Sequence, residues 1–146
     1  KVAYVNNSLL ISNSNIGTET RKNLESKIAE FQTEVNNRES ELEILKDLSK
    51  KDSANITIKN ELSEKIAAYT AYLQELDKEL SKYETELMAP VYNTINKALD
   101  EYGKKHNYSI ILGATSSGNI VYGDIKLDIT EKVLVYMNNM PVEMEE

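Results

Sequence analysis

The stretch 62-LSEKIAAYTAYLQELDKELSKYETEL-87 decides how the chain folds, because its apolar residues recur in alternating steps of four and three. That spacing keeps one apolar stripe on a helix and is the repeat of coiled coils. We therefore predict a long helix that packs on a partner helix along this stripe. The stripe consists of Leu62, Ile66, Tyr69, Leu73, Leu76, Leu80, Tyr83 and Leu87.

A second stripe of the same kind supplies the partner. It begins at Leu24 and has one polar member, Arg38, which we expect either to pair with a glutamate across the seam or to be a point where the helices splay. Between the stripes, 49-SKKDSANIT-57 has no apolar period and contains residues that can cap helix ends. The pattern predicts an antiparallel helical hairpin with its tip near 49–57. The apolar members of this stripe are Leu24, Ile28, Phe31, Val35, Leu42 and Leu45.

The apolar pattern changes at Pro90. A proline inside a helix removes one backbone donor and clashes with the preceding turn, at a cost of about 3 kcal/mol. The steps become four and four through Leu87, Val91 and Ile95, which is a stutter of the repeat. We expect a bend at Pro90, where the helix runs out of hairpin partner and turns its apolar face toward strands.

Short β-type stretches lie on both sides of the hairpin. They are 2-VAYV-5, 108-YSIILG-113 and 119-NIVYG-123, and the turn 113-GATSSG-118 joins the last two. We predict that all three form one small sheet, so the first and last thirds of the chain must meet. Tyr102, Tyr108 and Tyr122 are expected on buried faces near this sheet.

Short helices complete the ends of the chain. The stretch 8-SLLISN-13 predicts a helical turn, and Gly17 is expected to let the chain redirect into the long helix. In 128-DITEKVLVYMN-138, Asp128 and Glu131 form a capping-box pattern before an apolar face. That face consists of Val133, Leu134 and Met137.

These elements predict an α+β fold with two parts. Residues 1–17 and 89–146 form a small strand-containing body, and residues 18–88 form the hairpin. The composition supports an elongated or oligomeric protein, since 40% hydrophobic residues, with one Phe and no Trp, supply little for a compact core.

Charge and composition exclude several classes of protein. A formal net charge of −7 does not suit nucleic-acid binding, which needs a surplus of Lys and Arg on one face. The chain has no cysteine, and no apolar run of about 18 residues that could span a membrane. Because the chain does not begin with Met, Lys1 either follows a removed signal peptide or is an artificial start.

Catalytic patterns are also missing from the sequence. His106 is a lone histidine near a helix end, and the acids Glu39, Glu41 and Glu43 are spaced for a solvated helix face. The loop 113–118 contains glycines but no phosphate-binding pattern. We expect no enzymatic activity, no cofactor and no metal site.

Taken in order, the opening 1-KVAYVNNSLLI-11, the hairpin, the join 88-MAPVYNTINKALDEYGKKHNYSIILG-113 and the ending 119-NIVYGDIKLDITEKVLVYMN-138 resemble the Skp/OmpH family of periplasmic chaperones. The resemblance covers nearly the whole chain. It implies a homotrimer whose strands build a central body and whose hairpins extend as tentacles around a cavity. Such a trimer holds unfolded outer-membrane β-barrel proteins without ATP and prevents their aggregation in the periplasm of a Gram-negative bacterium.

A chaperone of this kind needs weak, distributed apolar contacts rather than one shaped pocket. Apolar side chains off the stripes are therefore candidates for contact with unfolded client proteins; alternatively, they widen the seam of the hairpin. The candidates are Ile44, Leu48, Ile56, Ile58, Ala68, Ala71 and Tyr72.

The charge of the hairpin departs from the best-known family member, whose tentacles are basic. Residues 18–88 contain 11 Lys and Arg against 16 Asp and Glu. We therefore carry over no lipopolysaccharide site. Lysines near the tip are candidates for weak contact with acidic client groups or a membrane surface, or they are simply solvated: Lys46, Lys50, Lys51 and Lys59.

Two other interpretations remain open from the sequence. A cytosolic prefoldin-like subunit also joins a helical hairpin to strands, but its strands lie between the helices, whereas here VAYV precedes both. A coiled-coil adaptor without chaperone activity would need a partner-specific outer patch, and the outer positions here are a mixture of Glu, Lys, Asn and Ser.

Overall fold

A computed structural model of the chain describes residues 1–141. Most of these residues lie in two long helices, accompanied by a small sheet and short helices, which confirms the predicted α+β class. The described chain forms two compact units: residues 1–23 together with the chain from residue 86 onward, and residues 24–85. The elements are β1 Val2–Asn6, α1 Asn7–Asn13, α2 Asn15–Lys51, α3 Ile56–Lys105, β2 Ile110–Ala114, a 3-10 helix Ile125–Leu127 and α4 Thr130–Asn138.

The sheet of the first unit is a parallel pair. Strand β1 pairs with β2, with Val2 opposite Ile110 and Asn6 opposite Ala114. A parallel pair needs a long crossover, and here α1, α2 and α3 together are that connection. On the other side of β1, Tyr4 forms an isolated parallel bridge with Asp128.

The predicted third strand at 119–123 is wrong. These residues have no strand pairing, and the turn before them closes with Gly118 N–H donating to Thr115 O at 3.1 Å. The side-chain amide of Asn119 donates to Gly113 O at 2.7 Å and its oxygen accepts from Thr115 N–H at 2.7 Å. Side-chain bonds thus occupy backbone groups that a strand ladder would use.

The core of the first unit confirms the pattern predicted beyond Pro90. Val91, Ile95, Ala98 and Tyr102 of α3 are buried in one cluster, as their spacing predicts. The three residues predicted for the apolar face of α4 are buried in the same cluster. It also contains Ala3, Val5, Leu10, Ile129, Val133, Leu134 and Met137.

Two details of the short helices differ from prediction. The chain redirects at Ser14, which has extended backbone between α1 and α2, and not at Gly17. Gly17 lies inside the first turn of α2, where an added Cβ would stand 1.6 Å from Ile11 O. Glycine is therefore needed at this position because the backbone packs closely on α1. The predicted capping box also does not form: α4 begins after Ile129, which makes no side-chain cap, although Asp128 accepts from Thr130 N–H at 2.9 Å.

The second unit is the predicted hairpin of α2 and α3. Its connection is residues 52–55, within the predicted tip, because both helices extend slightly further than expected. Asn55 caps α3, since its side-chain oxygen accepts from Ile58 N–H at 3.2 Å. Leu42 and Leu76 are the most deeply buried apolar residues in this unit.

Helix α3 continues through Pro90 without interruption. Pro90 is exposed, and its backbone carbonyl accepts a side-chain hydrogen bond from Thr94 Oγ1 at 2.8 Å. Residues before it, such as Tyr83, contact α2 within the hairpin, and Val91 after it lies in the core of the first unit.

Candidate functional site

Three tyrosines of α3 contact charged residues of α2 along the hairpin. The Arg38 guanidinium lies 3.9 Å from the centre of the Tyr72 ring, and Tyr69 Oη donates to Glu39 Oε1 at 2.6 Å. Further from the tip, Lys27 Nζ lies 5.6 Å from the Tyr83 ring centre. As residue numbers rise on α2 they fall on α3, so these contacts define an antiparallel pair.

Arg38 pairs with a glutamate of its own helix and not with one across the seam. Its Nε donates to Glu34 Oε1 at 2.9 Å, one turn earlier on the same helix. Across the seam its partner is the Tyr72 ring, in a cation–π contact. Charged groups and aromatic rings thus add to the aliphatic contacts of the seam, in which Leu42 and Leu76 are buried.

The seam uses the predicted face of α3, where six of the eight predicted residues are buried or half-buried: Leu62, Tyr69, Leu76, Leu80, Tyr83 and Leu87. Tyr72 is half-buried, whereas Ile66 and Leu73 are 41% and 39% exposed. On α2, Ile28 is similarly 45% exposed. Sequence reasoning therefore missed Ile66 and Leu73 as surface residues, since both fit the heptad.

Most of the predicted client-contact residues lie at the surface. Ile44, Leu48 and Ile56 are 61%, 44% and 71% exposed. Ala68 and Ala71 are exposed as well, while Ile58 is half-buried. Tyr72 is covered by Arg38. Ile44 and Leu48 are one turn apart on α2 and share a face.

The four tip lysines are all exposed, and three of them border shallow grooves. Lys59 lines a groove of about 210 Å³ with Leu62, Ser63 and Ile66. Lys46 and Lys50 line a second groove of about 450 Å³. Its other lining residues are Glu39, Leu42, Glu43, Asp47 and Tyr69, so acids and bases are mixed there.

The first unit also exposes large apolar side chains. Val121, Tyr122 and Ile125, which follow β2, are 98%, 85% and 81% exposed. On β2 itself, Ile110 and Leu112 are 53% and 48% exposed. Tyr122 is thus not on a buried face in the single chain, whereas Tyr102 is 7% exposed, as predicted.

Three tyrosines and His106 of the first unit form an aromatic cluster. Tyr102 packs against the rings of His106, Tyr108 and Tyr136, with ring centres 4.2, 6.3 and 5.7 Å away. Tyr136 Oη donates to Glu101 Oε2 at 2.8 Å, and this bond, with burial, raises the pKa of Tyr136 above its ordinary value. His106 is therefore one member of a packed ring cluster.

Within residues 1–141, no group of three or more His, Cys, Asp or Glu side chains is arranged to hold a metal ion. In the same part of the chain, none of the helices combines the length and apolar character needed to cross a membrane.

The arrangement defines a class of protein: an α+β protein with a long helical hairpin inserted between two paired strands, and with apolar side chains spread over its surface. The family model "Outer membrane protein (OmpH-like)" matches residues 1–137, so the chain belongs to the OmpH-like family. This membership supports a chaperone role.

A solved structure described as an OmpH-like outer membrane chaperone, from Caulobacter crescentus CB15, has the same fold. The TM-score is 0.78 at 17% sequence identity, with 94% of this chain and 83% of that chain covered. No curated protein matches the sequence.

Proposed function

We propose that the protein is an ATP-independent holdase of the Gram-negative periplasm, which binds unfolded outer-membrane β-barrel proteins between the hairpins of a homotrimer. The observation that carries this proposal is the set of exposed apolar side chains on a hairpin of the OmpH-like fold. Ile44 and Leu48 lie one turn apart on α2 and Ile56 lies at the tip, so the exposed apolar groups are small and distributed over the hairpin, as weak contacts with a client require.

Exposed groups of the first unit support the homotrimer. A two-stranded sheet is marginal on its own, and the exposed apolar residues of β2 and of the segment after it lack cover within residues 1–141. The segment 119–123 has strand-forming residues, such as Val121 and Tyr122, without a strand partner in its own chain. We propose that a second and a third copy cover these residues and trimerise the body formed by 1–17 and 89–146.

The remaining site assignments follow from this proposal. The tip lysines Lys46, Lys50, Lys51 and Lys59 make weak contacts with acidic client groups or an anionic membrane surface. Pro90 and Gly17 mark the junction between the body and the hairpin of residues 18–88. The hairpin is acidic, so clients are bound through apolar contacts more than through charge.

An aggregation assay tests the proposal. An outer-membrane β-barrel protein is diluted from urea, and its light scattering is followed with and without the protein. The wild-type chain should suppress scattering without nucleotide. The double variant Ile56→Ser, Ile58→Ser should suppress it less while keeping the wild-type mass in solution.

Ala67→Ser is the matched control, because Ala67 is an exposed residue of α3 outside the candidate set and the change loses little apolar area. It should behave like the wild type. An inert wild-type chain that sediments as a monomer would contradict the proposal, and a trimer without effect on aggregation would favour a coiled-coil adaptor.

A further inference from the structure

The outer face of α2 near the tip carries two exposed apolar side chains between acidic ones. Ile44 and Leu48 are 61% and 44% exposed and lie one turn apart. Glu41 lies three residues before Ile44 and Asp47 three residues after it, so both carboxylates flank Ile44 on the same side of the helix. We call these four residues the outer patch.

The charge of the outer patch is not neutralised within the described chain. Neither Glu41 nor Asp47 takes part in an ion pair or a side-chain hydrogen bond of residues 1–141, and both side chains are exposed. The next two charged residues on this face, Lys51 and Asp52, are of opposite sign and offset each other. A molecule that contacts Ile44 therefore meets two uncompensated carboxylates.

The rest of the hairpin adds to this negative charge. Its shaft, which we define as residues 18–45 and 66–88, contains 6 Lys and Arg against 12 Asp and Glu. Half of these bases form ion pairs with a glutamate one turn away on their own helix, so their charge is already compensated. The pairs are Lys27 with Glu30, Arg38 with Glu34 and Lys78 with Glu75.

The spacing of the outer patch fits an extended chain. Ile44 and Leu48 are about 6 Å apart along the helix axis, at 1.5 Å per residue. Alternate side chains of an extended strand, which lie on the same face, are about 6.6 Å apart. A segment with apolar residues at every second position, as in the strands of outer-membrane barrels, can therefore contact both residues at once.

We propose that the outer patch selects basic segments among the apolar, extended segments of unfolded clients. Ile44 and Leu48 supply the apolar contact, while Glu41 and Asp47 attract Lys or Arg side chains beside it and repel acidic ones. The apolar contact provides affinity, and the charge provides the choice between segments. The proposal rests on the proposed chaperone function, because it names the class of client segment that this face binds.

Peptide binding to the full chain tests the proposal. Three fluorescent peptides share the same alternating leucines and have Lys, Gln or Glu beside them, and binding is measured by fluorescence anisotropy. The wild type should bind the Lys peptide about tenfold more tightly than the Glu peptide, since each exposed ion pair changes affinity by up to about fivefold. The ratio of the two affinities should fall toward one in about 1 M salt, which screens exposed charges.

Charge variants assign the selection to this face. Glu41→Gln with Asp47→Asn should lower the ratio at least about threefold, and Glu41→Lys with Asp47→Lys should favour the Glu peptide. Glu79→Lys with Glu84→Lys is the matched control, because it changes the net charge as much as the second pair does. Both control residues are exposed on α3 near the Lys27 contact, about 20 Å along the hairpin from Glu41, so the Lys peptide should still be preferred.

The outcomes separate this inference from the proposed function. Ile44→Ser should weaken binding of all three peptides alike, and circular dichroism confirms the helix content of each variant. If the wild type suppresses client aggregation but binds the Lys and Glu peptides equally, the inference is overturned while the proposed function stands. The same holds if the α3 control lowers the ratio as much as the α2 variants do. If the wild type binds no peptide and suppresses nothing, the proposed function fails and the inference fails with it.

Discussion

Replacing Val121 and Ile125 with serine should dissociate the proposed trimer. Both residues are almost fully exposed in the single chain, at 98% and 81%, so the change removes nothing from the fold of one subunit. Exposed substitutions of this kind alter the free energy of unfolding by about 0.5 kcal/mol or less. Any large effect must therefore come from contacts between copies.

The size of the effect follows from the area that association would cover. Burying a Val or Ile side chain stabilises by about 1.5–3 kcal/mol, so the pair contributes about 4 kcal/mol per subunit and about 12 kcal/mol per trimer. The concentration at which half of a trimer dissociates varies as the square root of its dissociation constant. With about 1.4 kcal/mol for each factor of ten, the midpoint should rise roughly 10⁴-fold.

Sedimentation velocity over a dilution series measures this midpoint. Wild type should sediment at three times the mass of one chain, and Val121→Ser with Ile125→Ser should sediment as a helical monomer at micromolar concentration. Ile44→Ser is the control, because it removes a similarly exposed side chain from the hairpin and should leave the trimer intact. A double variant with the wild-type midpoint would refute the assignment of this surface to the interface.

Three further predictions concern single contacts. Gly17→Ala should lower the free energy of unfolding by about 3 kcal/mol in thermal melting, because the added Cβ meets Ile11 O; an unchanged melting temperature would contradict this. The hydrogen bond to Glu39 raises the pKa of Tyr69 above its ordinary 10.0, so its stabilisation is complete below about pH 10 and is lost as the pH rises through the raised value. Tyr69→Phe should remove that part of the alkaline loss of stability in melts above pH 10, and a loss equal to that of the wild type would contradict the assignment. Pro90→Ala should raise helix stability by up to about 3 kcal/mol and leave the trimer intact, and a lower melting temperature would argue against the junction.

The architecture was predictable because heptad spacing records a long, repeated contact. Each stripe has many members, so one exception such as Arg38 does not hide the pattern. The same reasoning carried past Pro90, where Val91 and Ile95 are buried as their spacing predicts. Short elements offered no such redundancy: the segment 119–123 has strand-forming residues, but a strand also needs a partner, and local sequence does not encode one.

The predictions at the helix ends were wrong for a related reason. Asp128 does accept a backbone hydrogen bond, as a capping residue would, but from Thr130, the first residue of α4, and Ile129 lies at the cap position instead. Gly17 was recognised as special, yet its role is the close approach to Ile11 and not a change of direction. Each of these features depends on one or two hydrogen bonds or contacts. Sequence patterns locate such features only to within a few residues.

The exposure of side chains on the hairpin could be predicted only in part from the apolar spacing. Ile44, Leu48 and Ile56 are exposed because they lie off any stripe, and that much follows from spacing alone. On α3, reading the spacing selects the right face, since six of the eight predicted stripe residues are buried or half-buried. Ile66 and Leu73 fit the same spacing and are still 41% and 39% exposed, because a seam between only two helices leaves part of each member uncovered. Spacing therefore assigns a residue to the seam, whereas the area covered at each position depends on the side chains of the other helix, as the Arg38 guanidinium over the Tyr72 ring shows.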